Sequence, residues 1–329
     1  MNMLVLNHRE VEELMPIRDC VGVMEEALAA LARGEVHQPL RQVIRAPQAN
    51  GFLGLMPSYR GGKQPNYGLK AVCVYPTNPA RGLDTHLGAV LLYAGDTGQL
   101  LAVMNASAIT AIRTAAVSAV ATKLLAREDA GDLAIVGTGV QARAHLEAMS
   151  VARPIRRARI AGHTMDRAKE LVERVRATYP FPIEPAPSVE AAIRDADIIV
   201  TATNALQPIV SREWIAPGAH LNVVGSSVAS AREVDGATMA ASSLFVDRRE
   251  STTNEAGDYL FALREGAIGP EHIRAELGEI LIGAREGRRS TEEITLFKSL
   301  GLAIEDLAAA QYLYQKARRE RRGSTVDFD

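Results

Sequence analysis

Residues 133–145 read LAIVGTGVQARAH, and the fold turns on how this stretch divides. Four apolar residues form a short strand, GTG makes a turn, and QARAH opens a helical segment. Gly137, Gly139 and Ala142 then occupy the G-x-G-x-x-A positions of a dinucleotide turn. Gly137 permits the tight turn. Gly139 lets a pyrophosphate approach backbone N–H groups at the positive end of the helix, and Ala142 allows close packing of helix on strand. Thr138, Val140 and Gln141 complete the candidate cradle. Glycine turns are common, so the weight of this pattern comes from what surrounds it.

Downstream the chain alternates strand with helix: RRARIAG then DRAKELVERVRATY, FPIEPA then SVEAAIRDA, followed by DIIVTAT, HLNVVGS and SLFVD. This alternation predicts an α/β fold with a doubly wound parallel sheet of Rossmann type over residues 116–299. Upstream the texture differs. REVEELMPIRDCVGVMEEALAALARGE has helical periodicity with Gly34 as its stop, and from Pro39 to Ala102 short β-like runs predominate. GDTG at 95–98 reads as a hairpin turn between LLYA and QLLAVM. Residues 1–115 thus form an α+β unit. The tail from Thr295 to Arg322 reads as an amphipathic helical region that packs back on this unit or on a partner subunit, and ARRERRG as its solvated end.

A chain of 329 residues has apolar material for two cores, and a formal charge of -2 with both signs interspersed argues against nucleic acid or an anionic membrane as partner. A small molecule is the expected ligand. NHREVEELM near the start is not a secretory pattern, so a cytoplasmic location is expected. ASAITAIRTAAVSAVATKLLA carries Arg113 and Lys123 among small residues and reads as a packed helix. Cys20 and Cys73 stand without a CxxC and read as reduced thiols; the seven histidines show no metal-ligand spacing.

The strand after the dinucleotide helix ends RIAGHTMDR, with Gly162 where an acidic residue would bind the ribose 2′-hydroxyl of NAD. His163, Thr164 and Arg167 follow as donors. A missing carboxylate removes repulsion toward a 2′-phosphate, so NADP(H) is favoured over NAD(H). Thr201, Ala202 and Thr203, and then Val224, end the next two strands and join the candidate cofactor set. One lysine also stands out. The chain has six lysines against thirty-one arginines, yet Lys70 interrupts the apolar run YGLKAVCVYP. From the residues alone it either snorkels out of the strand or carries chemistry.

The isolated Arg41, LMPSY (55–59), GLKAV (68–72), HLGAVLLYAGDTGQLLAVM (86–104), AITAIRTAA (108–116), LAIVGTGVQARAH (133–145), DIIVTAT (197–203), REVD (232–235), EAGD (255–258) and TLFKSLGLAIEDLAAA (295–310) make the chain resemble the ornithine cyclodeaminase/mu-crystallin family over nearly its whole length. The resemblance implies a homodimer. In it, residues 1–115 with 300–329 would form the substrate-binding and dimerisation domain, and the Rossmann domain would supply the cofactor. It also implies that Arg41, Lys70 and Arg113 hold a substrate carboxylate. A guanidinium binds such a group in two places, and a lysine is a point charge whose pKa moves on burial. Thr114, Ser226 and Ser227 would line the nicotinamide side.

Cyclodeaminases of that family carry an aspartate where VVGSSVASAREVD has Ser227, and serine takes no proton at neutral pH. The expectation is therefore a reductase of α-imino acids, or an amino acid dehydrogenase, acting on a small amino or imino acid. An ornithine-cyclising lyase and a non-catalytic binder are the alternatives. Arg45 competes with Arg41, Arg113 also fits an ordinary ion pair, and Glu305 with Asp306 either touch the active site through the C-terminal helix or, the favoured reading, serve ion pairs and packing. His86 caps a strand or reaches the cofactor.

Overall fold

The computed structural model describes residues 2–328; Met1 and Asp329, the outermost residues of the predicted first domain, lie outside it. Backbone contacts divide the chain into two units: one runs to Arg113 and resumes at Gly301, the other spans Thr114–Leu300.

The first unit begins with strand Asn2–Leu6 and helices His8–Leu14 and Ile17–Ala32. Asn7 starts the first helix because its side chain accepts from the Glu10 N–H at 3.0 Å while the Glu10 carboxylate accepts from the Asn7 N–H at 2.9 Å. Four strands then form an antiparallel meander: Phe52–Arg60, Asn66–Val74, His86–Ala94 and Leu100–Asn105. At the GDTG turn Gly98 adopts φ +74 and donates its N–H to the Ala94 carbonyl. Short strands Val36–His37 and Gln42–Ile44 edge the sheet on one side, and Asn2–Leu6 runs parallel to Leu100–Asn105 on the other.

Register puts Met56, Lys70, Val90 and Met104 in one row across the meander, and all four are buried. The C-terminal helix Ala303–Glu320 covers that face. Gly68, two residues from Lys70, permits the approach, since a Cβ there would stand 3.0 Å from the Leu307 Cβ. Alternation places Leu53, Leu55, Leu69, Leu91 and Tyr93 on the opposite face, all only half-buried.

The second unit holds eight strands, all parallel, in the spatial order Ile183–Pro185, Arg157–Ala161, Asp132–Val136, Ile198–Thr201, His220–Val223, Thr295–Lys298, Ser243–Val246 and Ile273–Glu276. Chain order reverses between Asp132–Val136 and Ile198–Thr201, which creates a crevice at the carboxyl ends of those strands. Helix Ala106–Leu125 is the one helix among the described residues long and apolar enough to cross a bilayer; 72% of that window is buried inside the fold.

The tail departs from its helical reading at both ends. Thr295–Lys298 (TLFK) is a fully buried strand with neighbours on both sides, because so short a segment suits either structure and the sheet offers it two ladders. Ser324–Asp327 is an exposed strand paired with Asn2–Val5. The strand Ile273–Glu276 (IRAE) also escaped the sequence reading, its charges masking it.

Candidate active site

In the first unit, Arg41, Lys70 and Arg113 meet the first turn of the C-terminal helix. Lys70 is 3% exposed, and its Nζ lies 2.8 Å from Asp306 Oδ2. Arg113 donates through Nη1 to Glu305 Oε2 at 2.7 Å and through Nε to Asp306 Oδ1 at 3.2 Å. Both carboxylates are buried. Arg41, half-buried, donates through Nη2 to the Gly301 carbonyl at 3.3 Å. Gly301 has φ +81, and a Cβ there would come within 2.5 Å of Arg113 Nη1, so both backbone and space call for glycine. Arg45 instead lies over the Phe52 ring.

Burial pushes the Lys70 ammonium down to about 8; Asp306 opposes the shift, and Arg113 and Arg41 add to it. For Asp306 burial disfavours the charge, yet Arg113 and Lys70 outweigh it and hold the carboxyl below its ordinary range. Acids in the first turn also face the positive end of the helix dipole. The five side chains carry three positive charges against two negative.

Glu305 and Asp306, for which the sequence reading favoured structural ion pairs over contact with the site, pair with the candidate residues Lys70 and Arg113. A signal for them existed. Adjacent helix positions point about 100° apart, so two acids flanked on both sides by apolar residues in LAIEDLAA cannot both face water. His86 opens its strand with its carbonyl accepting from Ser107 Oγ. The residue is exposed, but desolvation of the ring and the charges of Lys70 and Arg113 push it down to about 4.

In the second unit the G-x-G-x-x-A turn sits at the crevice. Gly137 has φ +127, and a Cβ would stand 2.5 Å from the Ala202 carbonyl oxygen. At Gly139 a Cβ would meet nothing within 4 Å, and helix Val140–Ala152 has no side-chain cap. That opening over uncapped backbone N–H groups fits a pyrophosphate. Thr138 is half-buried, Val140 exposed, Gln141 half-buried and Ala142 buried.

Thr201 is buried, and its carbonyl accepts from the N–H groups of Val224 and Gly225. Ser226 donates its N–H to the Thr203 carbonyl at 3.1 Å. The ends of the two neighbouring strands are thereby brought together at the crevice. Ser227 follows, half-buried, with no carboxylate to add. Thr114 is buried one residue beyond Arg113 in the same helix.

Gly162 packs on the turn, because a Cβ would stand 2.8 Å from Thr138 Cγ2 and 2.9 Å from the Thr164 carbonyl oxygen. An acid at this position is excluded by space. Thr164 caps helix Met165–Val175 through its side chain, while His163 and Arg167 are exposed.

The model of the ornithine cyclodeaminase/mu-crystallin family matches residues 1–321. The chain belongs to that family. Its sequence is 40% identical over 294 residues to the ketimine reductase mu-crystallin of Mus musculus, covering 88% of this chain and 90% of that protein. The structure of Thermococcus litoralis Δ1-pyrroline-2-carboxylate reductase in complex with NADH and L-proline is similar, with TM-score 0.95 and 40% identity over 98% of this chain and 100% of that one. An archaeal alanine dehydrogenase dimer with bound NAD follows at TM-score 0.93 and 32% identity, with both chains fully covered.

Proposed function

We propose that this family member reduces the C=N bond of a small α-imino carboxylate to an L-amino acid. It is an NAD(P)-dependent oxidoreductase of the kind represented by its ketimine reductase, pyrroline-carboxylate reductase and alanine dehydrogenase relatives. The observation that carries the substrate class is the gathering of Arg41, Lys70 and Arg113 at the start of the C-terminal helix. Arg41 and Arg113 bind the carboxylate, fixing the imine by orientation. Lys70 gives a proton to the imine nitrogen. When bound, the reduced nicotinamide supplies the hydride to the imine carbon, so C=N becomes CH–NH. Gly137–Ala142 would hold its pyrophosphate, with Thr114, Thr201, Ala202, Thr203, Val224, Ser226 and Ser227 on the nicotinamide half.

Ser227 disfavours ornithine cyclisation, since the slot holds no group to take up a proton at neutral pH. At the ribose, a glycine that excludes the acid, with exposed His163 and Arg167 after it, favours a 2′-phosphate and hence NADP(H). The half-buried apolar face of the first unit's sheet, continued by Tyr67 at 49% and Leu87 at 38% exposure, suits a second copy of the chain, so we assign a homodimer.

The test is loss of NADPH or NADH absorbance with Δ1-pyrroline-2-carboxylate, Δ1-piperideine-2-carboxylate, and pyruvate with ammonia. Turnover of one of these, with a lower KM for NADPH, is expected at a sedimenting mass of two chains. Ammonia released from ornithine without net cofactor change would overturn the reductase assignment.

A further inference from the structure

A second lysine is buried in a strand, far along the chain from the cation cluster. Lys298 Nζ donates to the Gly225 carbonyl at 2.8 Å and lies 2.9 Å from Asp258 Oδ2, with both side chains 0% exposed. The other Asp258 oxygen accepts from the N–H groups of Glu233, at 2.7 Å, and Val234, at 3.0 Å. Glu233, itself fully buried, turns its carboxylate back toward the strand ends. Its Oε2 accepts from Thr201 Oγ1 at 2.7 Å, and its Oε1 accepts from Thr203 N at 2.8 Å and Thr203 Oγ1 at 2.7 Å.

The packing around that carboxylate leaves no slack. A Cβ on Gly225 would stand 2.5 Å from Glu233 Oε1 and 2.2 Å from the Thr203 carbonyl oxygen. Directly after it, Ser226 takes a left-handed φ of +51 and donates through Oγ to the Ala205 carbonyl at 2.5 Å. A non-glycine residue in that region is strained and persists only where its surroundings impose it. Charged groups fully removed from water are a poor way to stabilise a sheet, since apolar residues of like volume do as well or better. Here Asp258 instead fixes the backbone of Glu233 and Val234, while Lys298 and the Glu233 carboxylate end on Gly225, Thr201 and Thr203 of the two loops at the crevice. Burial raises the Glu233 carboxyl and Asp258 raises it further, while Lys298 acts in the opposite sense.

The geometry points to Glu233, anchored through Asp258 and Lys298, as a positioning residue for the cofactor, one that holds loops 201–205 and 225–227 in their strained receiving form. The inference rests on the nicotinamide-dependent function proposed above. Glu233→Gln places an amide N–H₂ against donors. The milder Thr201→Val removes one hydrogen bond from a buried residue and keeps its volume.

NADPH and NADH dissociation constants are measured by fluorescence titration without imino acid, beside the thermal midpoint of each cofactor-free protein. Glu233→Gln is expected to weaken cofactor binding more than tenfold and Thr201→Val by about tenfold, the range of a hydrogen bond to a charged group. The KM for cofactor should rise while that for the imino acid holds. Should Glu233→Gln fail to fold, Thr201→Val decides. Wild-type dissociation constants in both variants, whatever their midpoints, would overturn the inference alone. A wild-type protein that binds neither cofactor would overturn the proposed function and the inference with it.

Discussion

The two buried lysines set the two halves of the molecule against each other. Lys70 and Lys298 each lie in a strand, each ends on an aspartate, at 2.8 and 2.9 Å, and each is at most 3% exposed. Their surroundings differ in sign. Around Lys70 three cations meet two carboxylates. Around Lys298 two carboxylates share one cation and end on the protein's own backbone. A buried charge by itself therefore says little. What differs is the sign of the groups gathered: the cations around Lys70 suit the added anion proposed above, whereas the carboxylates around Lys298 end on backbone and hydroxyl groups of the chain itself.

Lysine-to-methionine changes test that distinction most sharply. Lys70→Met keeps the proposed carboxylate clamp and leaves Asp306 paired to Arg113, but it removes the proposed proton donor. Turnover should fall by about 10²–10⁴-fold, the usual worth of a general acid, with only a modest rise in imino-acid KM. A kcat near wild type would reduce Lys70 to a structural residue.

Lys298→Met leaves Asp258 and Glu233 buried together without a cation. Breaking such a cluster costs about 3–5 kcal/mol, and denaturant unfolding should show a loss of that size. Lys70→Met should lose less, because Arg113 still neutralises Asp306. Equal losses in the two variants would erase the contrast between the two clusters.

The same contrast governs how far the sequence could be read. GTGVQA lay legible because three glycine or alanine positions answer to local backbone, packing and ligand needs, and the structure shows the backbone need at Gly137, while Gly139 stands over open space. Lys70 was legible as an anomaly in a strand. Lys298, at the end of its strand, drew no notice because the tail from Thr295 to Arg322 read as one amphipathic helical region. Partners hidden by sequence distance were harder still: Lys70 and Asp306 are joined only because Gly68 lets the C-terminal helix lie on the sheet. The Ser324–Asp327 strand had no signal of its own, since it exists by pairing with Asn2–Val5.

The smallest expected effect concerns Asp306, and its sign follows from the cluster. In the wild-type protein Lys70 titrates at about 8, against 10.5 for an ordinary lysine. As the proposed proton donor it is competent below that pH, so kcat/KM for imine reduction should be level at lower pH and fall about tenfold per unit above 8. Asp306 is the anion that sustains the ammonium against burial, Arg113 and Arg41. Asp306→Asn should move the limb to lower pH, with the plateau rate less changed than its position. Stability carries the matching sign. A lysine whose folded pKa lies below its unfolded value holds fewer protons when folded, so the variant should be weakest at low pH and recover as pH rises and Lys70 sheds its proton. A limb that stays near 8 in Asp306→Asn would mean that the carboxylate fixes the helix and not the charge on Lys70.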